Sequence, residues 1–434
     1  MGLGYLAAAA RKRGIEVEVV DSKLEGYSSP QQAVQAIRSL HPTVVGLSAF
    51  TVEYPRAAEM AAELKKQDPG ITVVLGGAHA NAIPQEALRQ APGVDYVIAG
   101  EADTLLIDLV SALAAGQRLD CVAGLYYRGP DGDVCGSGST WCDGDLSELP
   151  FPAWDLFPRV QAYPLLSERG CPYRCVFCAH NSLSRVHSRP IENVLEEIRW
   201  VYRDFGAREV YFEDETFGFH RERTEELLTR LIEFNRHAGM KFKAQTRVDV
   251  VTPALMRLMK RAVFDFIEMG VESGDPGVLE RSRKGIRVEQ VERAVRVARE
   301  AGIRPWVNFI IGLPGETRES VRNSIELAVK LNPSRLSIAI IVAYPGCEIY
   351  DWAVKGTHGY RLLSKEWDRF DKYLSSSVEL ETLDYRTMRR LQFRMYLETY
   401  LRNFRVVELS RLVWKNRGFF SSLGRRMLFP TSRQ

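Results

Sequence analysis

The sequence predicts an α/β protein built from two parallel sheets in tandem, followed by a helical, basic region. Three observations predict it. Strand-length apolar runs alternate with amphipathic stretches from residue 15 to 115, and again from 163 to 343, in the pattern of βαβ units. A polar stretch rich in Gly, Ser and Asp, residues 136–145, closed by Pro150-Phe-Pro152, divides the two runs. The second run holds six strand and helix units of about 30 residues each, the count of a partial (βα)6 barrel. We therefore expect a doubly wound, flavodoxin- or Rossmann-like domain over 1–145, a linker over 146–160, the partial barrel over 161–350 and a helical basic region over 351–434. With 45% hydrophobic and 26% charged residues the chain reads as globular, and its longest apolar runs are strand-length, too short to span a membrane.

The first domain opens with a helix, Leu3 to Gly14, whose small apolar residues end in Arg11-Lys-Arg13 and a glycine stop. Ile15-Glu-Val-Glu-Val-Val20 alternates strictly and predicts a strand. Helices are expected over 31–40, 54–67, 84–90 and 104–115, with strands over 43–48, 71–75 and 94–98, and a hairpin over 122–132. In such a sheet a ligand binds at the carboxyl ends of the strands. There stand Ser48-Ala-Phe-Thr51, Gly76-Gly77-Ala-His79 and Gly100-Glu101-Ala-Asp103, small residues and hydroxyls that let a bulky polar ligand meet the backbone. The same loops suit plain strand-to-helix turns, and His79 alone reads as a hydrogen-bonded surface histidine.

Directly after the first strand of the second domain stands Cys171-Pro-Tyr-Arg-Cys175-Val-Phe-Cys178. Three thiolates in C-x3-C-x2-C spacing suit a [4Fe-4S] cube that keeps one iron free for a substrate. Gly170 and Pro172 bend the backbone for convergence, and Phe177 sets a ring where it keeps water from the metal. The alternatives are a zinc site that recruits His180, and disulfides, which the odd count of seven cysteines disfavours.

On this motif the chain resembles the radical S-adenosylmethionine (SAM) enzymes. Val44-Val-Gly-Leu-Ser-Ala-Phe-Thr, Val74-Leu-Gly-Gly-Ala-His-Ala and Ala99-Gly-Glu-Ala-Asp, followed by Leu149-Pro-Phe-Pro-Ala-Trp-Asp155, resemble the cobalamin-binding domain joined to many of them. The resemblance covers Gly2 to Tyr350 and implies three cofactors: a [4Fe-4S] cluster on Cys171, Cys175 and Cys178, SAM on the open iron, and cobalamin against Ser48, Thr51, Gly76, Gly77, Gly100 and Glu101. The Asp-x-His-x-x-Gly element of other B12 proteins is absent, so cobalamin is expected to bind without a histidine on cobalt.

Each barrel strand should end at this site. Strands are expected over 163–167, 209–213, 241–247, 264–272, 304–312 and 335–343, with helices over 191–203, 221–237, 253–260, 288–301 and 318–331. Glu213-Asp214-Glu215-Thr216 ends the second strand, with carboxylates that suit the SAM ammonium or a helix cap. Gln245 and Arg247 end the third, where the arginine offers a fork for the SAM carboxylate or pairs with a neighbouring acid. Glu272, Ser273 and Gly274 end the fourth, Glu272 placed to accept from ribose hydroxyls. Ile310 and Gly312 end the fifth, suited to adenine. Tyr344-Pro-Gly-Cys347 ends the sixth and should face substrate; both Tyr344 and Cys347 are candidate catalytic residues, and Cys347, where similar proteins commonly carry threonine, is either a packed thiol or a reactive group.

The resemblance implies a methyltransferase acting at an unactivated carbon or phosphorus centre; a radical cyclase or oxidative rearrangement enzyme with the same parts is the alternative, and a B12-sensing regulatory protein a third. A small-molecule or lipid-like substrate and an external one-electron donor of flavodoxin or ferredoxin type are expected partners. The net charge of +3 conceals a basic tail: residues 386–434 hold twelve Lys/Arg against Glu398 and Glu408. A single tail helix over 387–412 is expected to pack on the barrel with a solvated basic face, or to contact anionic lipid through interleaved Trp414, Phe419, Phe420, Arg425 and Arg426. The acidic remainder argues against nucleic acid, and reduced thiols imply a cytoplasmic location. Finally, a doubly wound sheet starts with a strand, whereas this chain starts in a helix; we expect the natural protein to begin upstream of Met1, with the missing strand lying between 15–20 and 43–48.

Overall fold

The computed structural model describes residues 1–119, 122–138, 146–179, 186–373 and 375–415, Lys415 by its backbone alone. Cys121, Cys142, most of the polar stretch before Pro150, His180 and the segment with Arg425 and Arg426 lie outside them. The chain opens with α1 (Gly2–Lys12) and α2 (Pro30–Ser39), then β1 (Val44–Ser48), α3 (Tyr54–Gln67), β2 (Thr72–Gly76), α4 (Ala78–Ala82), α5 (Pro84–Gln90), β3 (Tyr96–Ile98), α6 (Ala102–Ala114) and the hairpin β4 (Leu125–Arg128) and β5 (Val134–Gly136). The sheet order is β1-β2-β3-β4-β5, parallel through β3 and antiparallel beyond it. Successive side chains of a strand point to opposite faces. Val45, Leu47, Val73, Leu75 and Val97 accordingly pack with α2, α3 and α5, while Val74, Ile98 and Leu125 pack with α6. Helices cover both faces, as in a doubly wound fold.

One expected strand is corrected. Residues 15–20 run extended but join no ladder, and β1 pairs only with β2. Alternation is a local signal, whereas a strand also needs a neighbour that supplies donors and acceptors. Here Ile15, Val17 and Val19 bury their apolar side against the alanines of α1 instead. β1 is thus an edge of the sheet, with Gly46 and Ser48 exposed.

The second sheet is formed by β6 (Ala162–Leu165), β9 (Glu209–Phe212), β10 (Lys241–Arg247), β11 (Phe264–Glu272), β12 (Arg304–Ile311) and β13 (Arg335–Ile340), all parallel and neighbours in chain order. A short ladder, β7 (Glu168–Arg169) with β8 (His187–Ser188), closes the base of the cysteine loop. The intervening helices are α7 (Ile191–Phe205), α8 (Arg221–Ala238), α9 (Pro253–Arg261), α10 (Pro276–Arg281), α11 (Val288–Glu300) and α12 (Arg318–Leu331). Alternate strand residues such as Val210, Phe242, Ile267, Val307 and Ile338 are fully buried in one core with these helices. Their half-buried neighbours on the opposite face are polar and bond to one another. Tyr211 Oη donates to Glu268 at 3.0 Å, Asn308 Nδ2 donates to Glu268 at 2.6 Å and Lys243 pairs with Glu209 at 2.6 Å. The inside of the partial barrel is therefore a polar lumen.

Helix α12 and the β11 end approach too closely for a side chain: a Cβ on Gly274 would stand 2.6 Å from Asn323 O and 2.8 Å from Ser324 Cα, both backbone. Gly274→Ala is expected to lower stability by about 1–3 kcal/mol through overpacking, measured by urea unfolding. A change below about 0.5 kcal/mol would contradict this packing.

Beyond β13 come α13 (Glu348–Lys355), the antiparallel pair β14 (Tyr360–Leu362) and β15 (Val378–Leu380), α14 (Tyr385–Arg402) and α15 (Val406–Lys415). The expected single tail helix is two, because Phe404 takes φ 56° and Asn403 Nδ2 turns back to Val329 O and Thr399 O. Helix α14 protects the edge strand β13: Ile338 N donates to Tyr396 Oη, and Gln392 Nε2 donates to Ile338 O. No helix among the described residues is long and apolar enough to cross a membrane.

Candidate active site

The cysteine loop leaves β7 through Gly170, at φ +96°, and its thiols sit at graded depths, Cys175 buried and Cys171 and Cys178 half-buried, none of the three in a disulfide. Its base is fixed from the barrel side by Asp214, which accepts from Ser167 N and Oγ, both at 2.6 Å, and from Glu168 N at 3.1 Å. Burial pushes the Asp214 carboxyl up to about 7 while those three donors pull the other way. Asp214 thus belongs to the loop's foundation, its oxygens committed to Ser167 and Glu168 in a buried place. Glu215 Oε2 accepts from Gly170 N at 3.1 Å, and Thr216 Oγ1 lies 3.7 Å from Cys171 Sγ.

Arg247 pairs with a neighbouring acid. It forks onto Asp249 at 3.0 and 3.1 Å, donates to Lys284 O at 2.6 Å, and stacks 3.5 Å over the Tyr173 ring inside the cysteine loop. Gln245, half-buried one turn of the pleat earlier, accepts through its carbonyl from Phe217 N. Glu272 stands at φ +67°, an uncommon conformation for a glutamate, and pairs with Lys284 Nζ at 2.7 Å, both side chains 8% exposed. A Cβ on Gly270 would hit Glu272 Oε1 at 2.3 Å and Lys284 Nζ at 2.8 Å, so this pair explains the glycine. Ser273 is fully buried against Ser324, 3.2 Å away. Ile310 is half-buried, and Gly312, at φ +103°, accepts from Tyr360 Oη at 2.8 Å.

Lys284 went unnoticed in the sequence, where it lies in a loop twelve positions past Glu272 with no motif to mark it. In space it is central: it and Arg247 place positive charge near the Cys175 thiol, working against burial, which raises that thiol. Lys284 Nζ also stands 5.9 Å from the Phe177 ring, and Val176 N donates to Ser282 O. Three thiols outside any disulfide, with two cations acting on the most buried of them, suit an anionic, thiolate-bound cluster. Among the described residues no group of three His, Cys, Asp or Glu side chains is placed to hold a single metal ion. The thiolates of a cube bind separate irons and need not converge on one point.

At the carboxyl ends of the first sheet, Gly77 stands at φ +93°, where a Cβ would meet Ala49 N and O at 2.7 and 2.8 Å. The ends of the first two strands thus pack backbone to backbone, with Gly76 half-buried and Ser48 exposed beside them. Gly100 N donates to Asn81 Oδ1 at 2.9 Å. Thr51 is buried, 3.3 Å from His79 Nδ1. His79 is a correction, being fully buried rather than on the surface: its ring lies between Tyr54 and Trp367, at 4.2 and 4.8 Å. Burial lowers it to about 4, so it stays neutral, and its Nε2 has no partner. Glu101 is drawn into an ion pair with Arg169, at 3.3 Å.

The two sites face each other. A Cβ on Gly346, in the Tyr344–Cys347 turn, would contact Ala82 Cβ of the first domain at 3.3 Å and Ala179 O, next to Cys178, at 3.7 Å. Tyr344 packs with the core of the first sheet. Cys347 is 1% exposed, and burial raises its thiol to about 12, as a packed thiol requires.

Burial also governs Glu316 in the Gly312–Glu316 turn. Its Oε2 accepts from Gly312 N and Leu313 N, its Oε1 has no partner, and its carboxyl is pushed up to about 8. Between the ordinary carboxylate value and 8 the folded chain binds a proton that the unfolded chain lacks, so this group's contribution to stability falls as pH rises through that window. Relative to the parent, Glu316→Gln should gain about 1–3 kcal/mol between pH 6 and pH 9 in urea unfolding, on top of any constant offset. A difference that does not move with pH would contradict the buried neutral carboxyl.

The sequence matches two family models, B12 binding domain over residues 1–110 and Radical SAM superfamily over 167–328. It is 29% identical over 412 residues to the uncharacterized methyltransferase PH0819 of Pyrococcus horikoshii, covering 93% of this chain and 88% of that protein. It is 27% identical over 363 residues to the anaerobic magnesium-protoporphyrin IX monomethyl ester cyclase of Rubrivivax gelatinosus, covering 80% of this chain and 64% of that one. In fold it superposes on the radical SAM methyltransferase TsrM from Kitasatospora setae, bound to cobalamin and a [4Fe-4S] cluster, with a TM-score of 0.75 at 16% identity over 91% of this chain and 87% of that chain. TsrM has also been seen with tryptophan substrate and the SAM analogue aza-SAM. A cysteine loop at the mouth of a partial barrel, opposed across one turn to the bare strand ends of a B12-type sheet, places this chain among the cobalamin-dependent radical SAM enzymes, whose cofactors are a [4Fe-4S] cluster, SAM and cobalamin.

Proposed function

We propose that the protein is a methyltransferase acting on an unactivated carbon or phosphorus centre of a small-molecule or lipid-like substrate. The observation that carries the reading is the opposition of the two sites: the Tyr344–Cys347 turn lies between Ala82 of the first domain and Ala179 of the cysteine loop. A substrate held beside that turn is within reach of both. When bound, the cluster and SAM supply a radical that removes a substrate hydrogen, and cobalamin supplies the methyl. The chain's own residues hold the thiols in register, through Asp214 and Glu215, and exclude water with Phe177 and Tyr173. Glu272, Gln245, Ile310 and Gly312 line the strand ends where SAM is expected, with Lys284 and Arg247 supplying positive charge beside it. Residues 1–145 act as the cobalamin domain, 161–350 as the barrel and 351–434 as the covering region.

The similarity to a cyclase as well as to methyltransferases keeps cyclisation as the second reading. The two differ in stoichiometry. Anaerobic turnover with methyl-labelled SAM should give S-adenosylhomocysteine and a product heavier by one labelled methyl; turnover that yields 5′-deoxyadenosine but neither of these overturns the methyltransferase reading.

We further infer a cytoplasmic enzyme served by a flavodoxin- or ferredoxin-type donor, with peripheral membrane contact through the tail. Phe404 is 92% exposed and Trp414 74%, beside exposed Val406 and Val407, in a segment with Arg402, Arg405 and Arg411. Binding to anionic vesicles should weaken with salt, and weaken further on Phe404→Ser or on charge reversal at Arg425 and Arg426. An intact chain that ignores such vesicles leaves the tail as a packed helical cover.

A further inference from the structure

One guanidinium joins the two cofactor loops. Arg169 is the last residue of β7, followed by Gly170 and then Cys171. Its Nη1 lies 2.5 Å from Asp103 Oδ2 and 3.3 Å from Glu101 Oε2, with side chains 16%, 12% and 10% exposed. Glu101 is the N-cap of α6, directly after Gly100 at the end of the third strand's loop. The guanidinium also stands 5.4 Å over the Tyr5 ring, so its flat face is covered. On its other side the cysteine loop is fixed to the barrel by Asp214. The loop is therefore suspended between a barrel anchor and a clamp whose acids belong to the cobalamin-side loop.

Ion pairs this sheltered are screened little by solvent, and breaking one strands a partly buried charge. Burial raises the Glu101 carboxyl even though Arg169, and His187 more weakly, favour its charged form, so the two acids depend chiefly on the Arg169 cation. Whatever orders the Gly100–Asp103 loop must then order Arg169, and with it the start of the cysteine loop.

We propose that Arg169 is a positioning residue that couples the two cofactor sites, so that cobalamin and the iron-sulfur cluster each bind more tightly when the other is in place. The inference rests on the cofactor reading above. Reciprocity is a thermodynamic requirement: a contact that lets one ligand improve the other's site acts equally in both directions.

The test is an anaerobic titration of the full chain with hydroxocobalamin, before and after cluster reconstitution, followed by cobalamin absorbance. The unmodified chain should bind at least about fivefold more tightly with the cluster present. In Arg169→Ala that ratio should fall below about twofold while both cofactors still bind. Arg169→Lys, which keeps the charge but loses the fork, should recover part of it. A full ratio in Arg169→Ala, or no ratio in the unmodified chain, overturns the proposal. If the alanine variant does not fold, hydrogen exchange of the unmodified, cluster-free chain decides: hydroxocobalamin should slow exchange in peptides over 168–178, and unchanged exchange there overturns it. A chain that binds neither cofactor refutes the family reading itself, a result distinct from binding both without coupling.

Discussion

Replacing Cys171, Cys175 or Cys178 singly by alanine is expected to abolish the four-iron cluster and lower SAM cleavage by at least about a thousandfold, the scale seen when a group essential to the chemical step is removed. The expectation follows from the loop's surroundings. Cys175 is buried with the charges of Lys284 and Arg247 acting on it, an arrangement matched to a thiolate and poorly matched to a methyl group. A lost thiolate leaves an iron without its protein ligand. Cys135, exposed on β5 far along the sequence, should tolerate the same change. Iron and sulfide per chain, with 5′-deoxyadenosine release, decide the matter; a Cys171→Ala protein that keeps four irons and cleaves SAM would falsify the assignment.

Asp214→Ala should be the most damaging substitution outside the cysteines. It leaves Ser167 N, Ser167 Oγ and Glu168 N without an acceptor in a place only 1% exposed at Asp214 itself. Each unpaired buried donor costs about 1–3 kcal/mol, and a loss of about 3–5 kcal/mol is expected after local relaxation. Asp214→Asn should recover much of it, since its carbonyl oxygen serves both backbone donors and the Ser167 hydroxyl can turn to accept. Because Ser167 and Glu168 lead directly to the cysteine loop, the alanine variant should also take up less than half the iron of the asparagine variant on reconstitution. Urea unfolding and iron analysis measure the two effects, and an alanine variant within about 1 kcal/mol of the parent would contradict the anchor.

Most of the barrel was legible in the sequence because its strands carry both a period-2 pattern and clear ends. Residues 241–247 and 264–272 form strands with the predicted boundaries, bounded by Gly239, Pro253 and the turn at Gly274. Helix 318–331 was equally plain, with Thr317 and Ser320 closing its first turn. What failed was whatever depended on a distant partner. Residues 15–20 have the alternation of a strand and no neighbour to complete one. The two-residue ladder of β7 and β8 is too short to show a period, although it sets the base of the cysteine loop.

The site divides in the same way. The cysteines, Glu272 and the Gly312 turn are marked by local motifs, and the structure gathers them at one end of the barrel sheet. Asp214 and Glu215, adjacent in sequence, part company in space, one committed to Ser167 and Glu168 and the other to Gly170. Lys284, Glu316 and the Arg169 clamp have roles only through partners 3 to 164 positions away, and nothing local distinguishes them from surface charges.

The central claim is that one chain holds a cluster, SAM and cobalamin around a shared substrate position. The most direct test is a single anaerobic reaction of the reconstituted full chain with reductant, hydroxocobalamin and SAM, analysed by mass spectrometry. The account predicts four irons and one cobalamin per chain on the basis of three thiolates and one sheet edge, together with release of both 5′-deoxyadenosine and S-adenosylhomocysteine. A chain that binds zinc in place of iron, or that binds cobalamin and iron yet releases neither product, would contradict it.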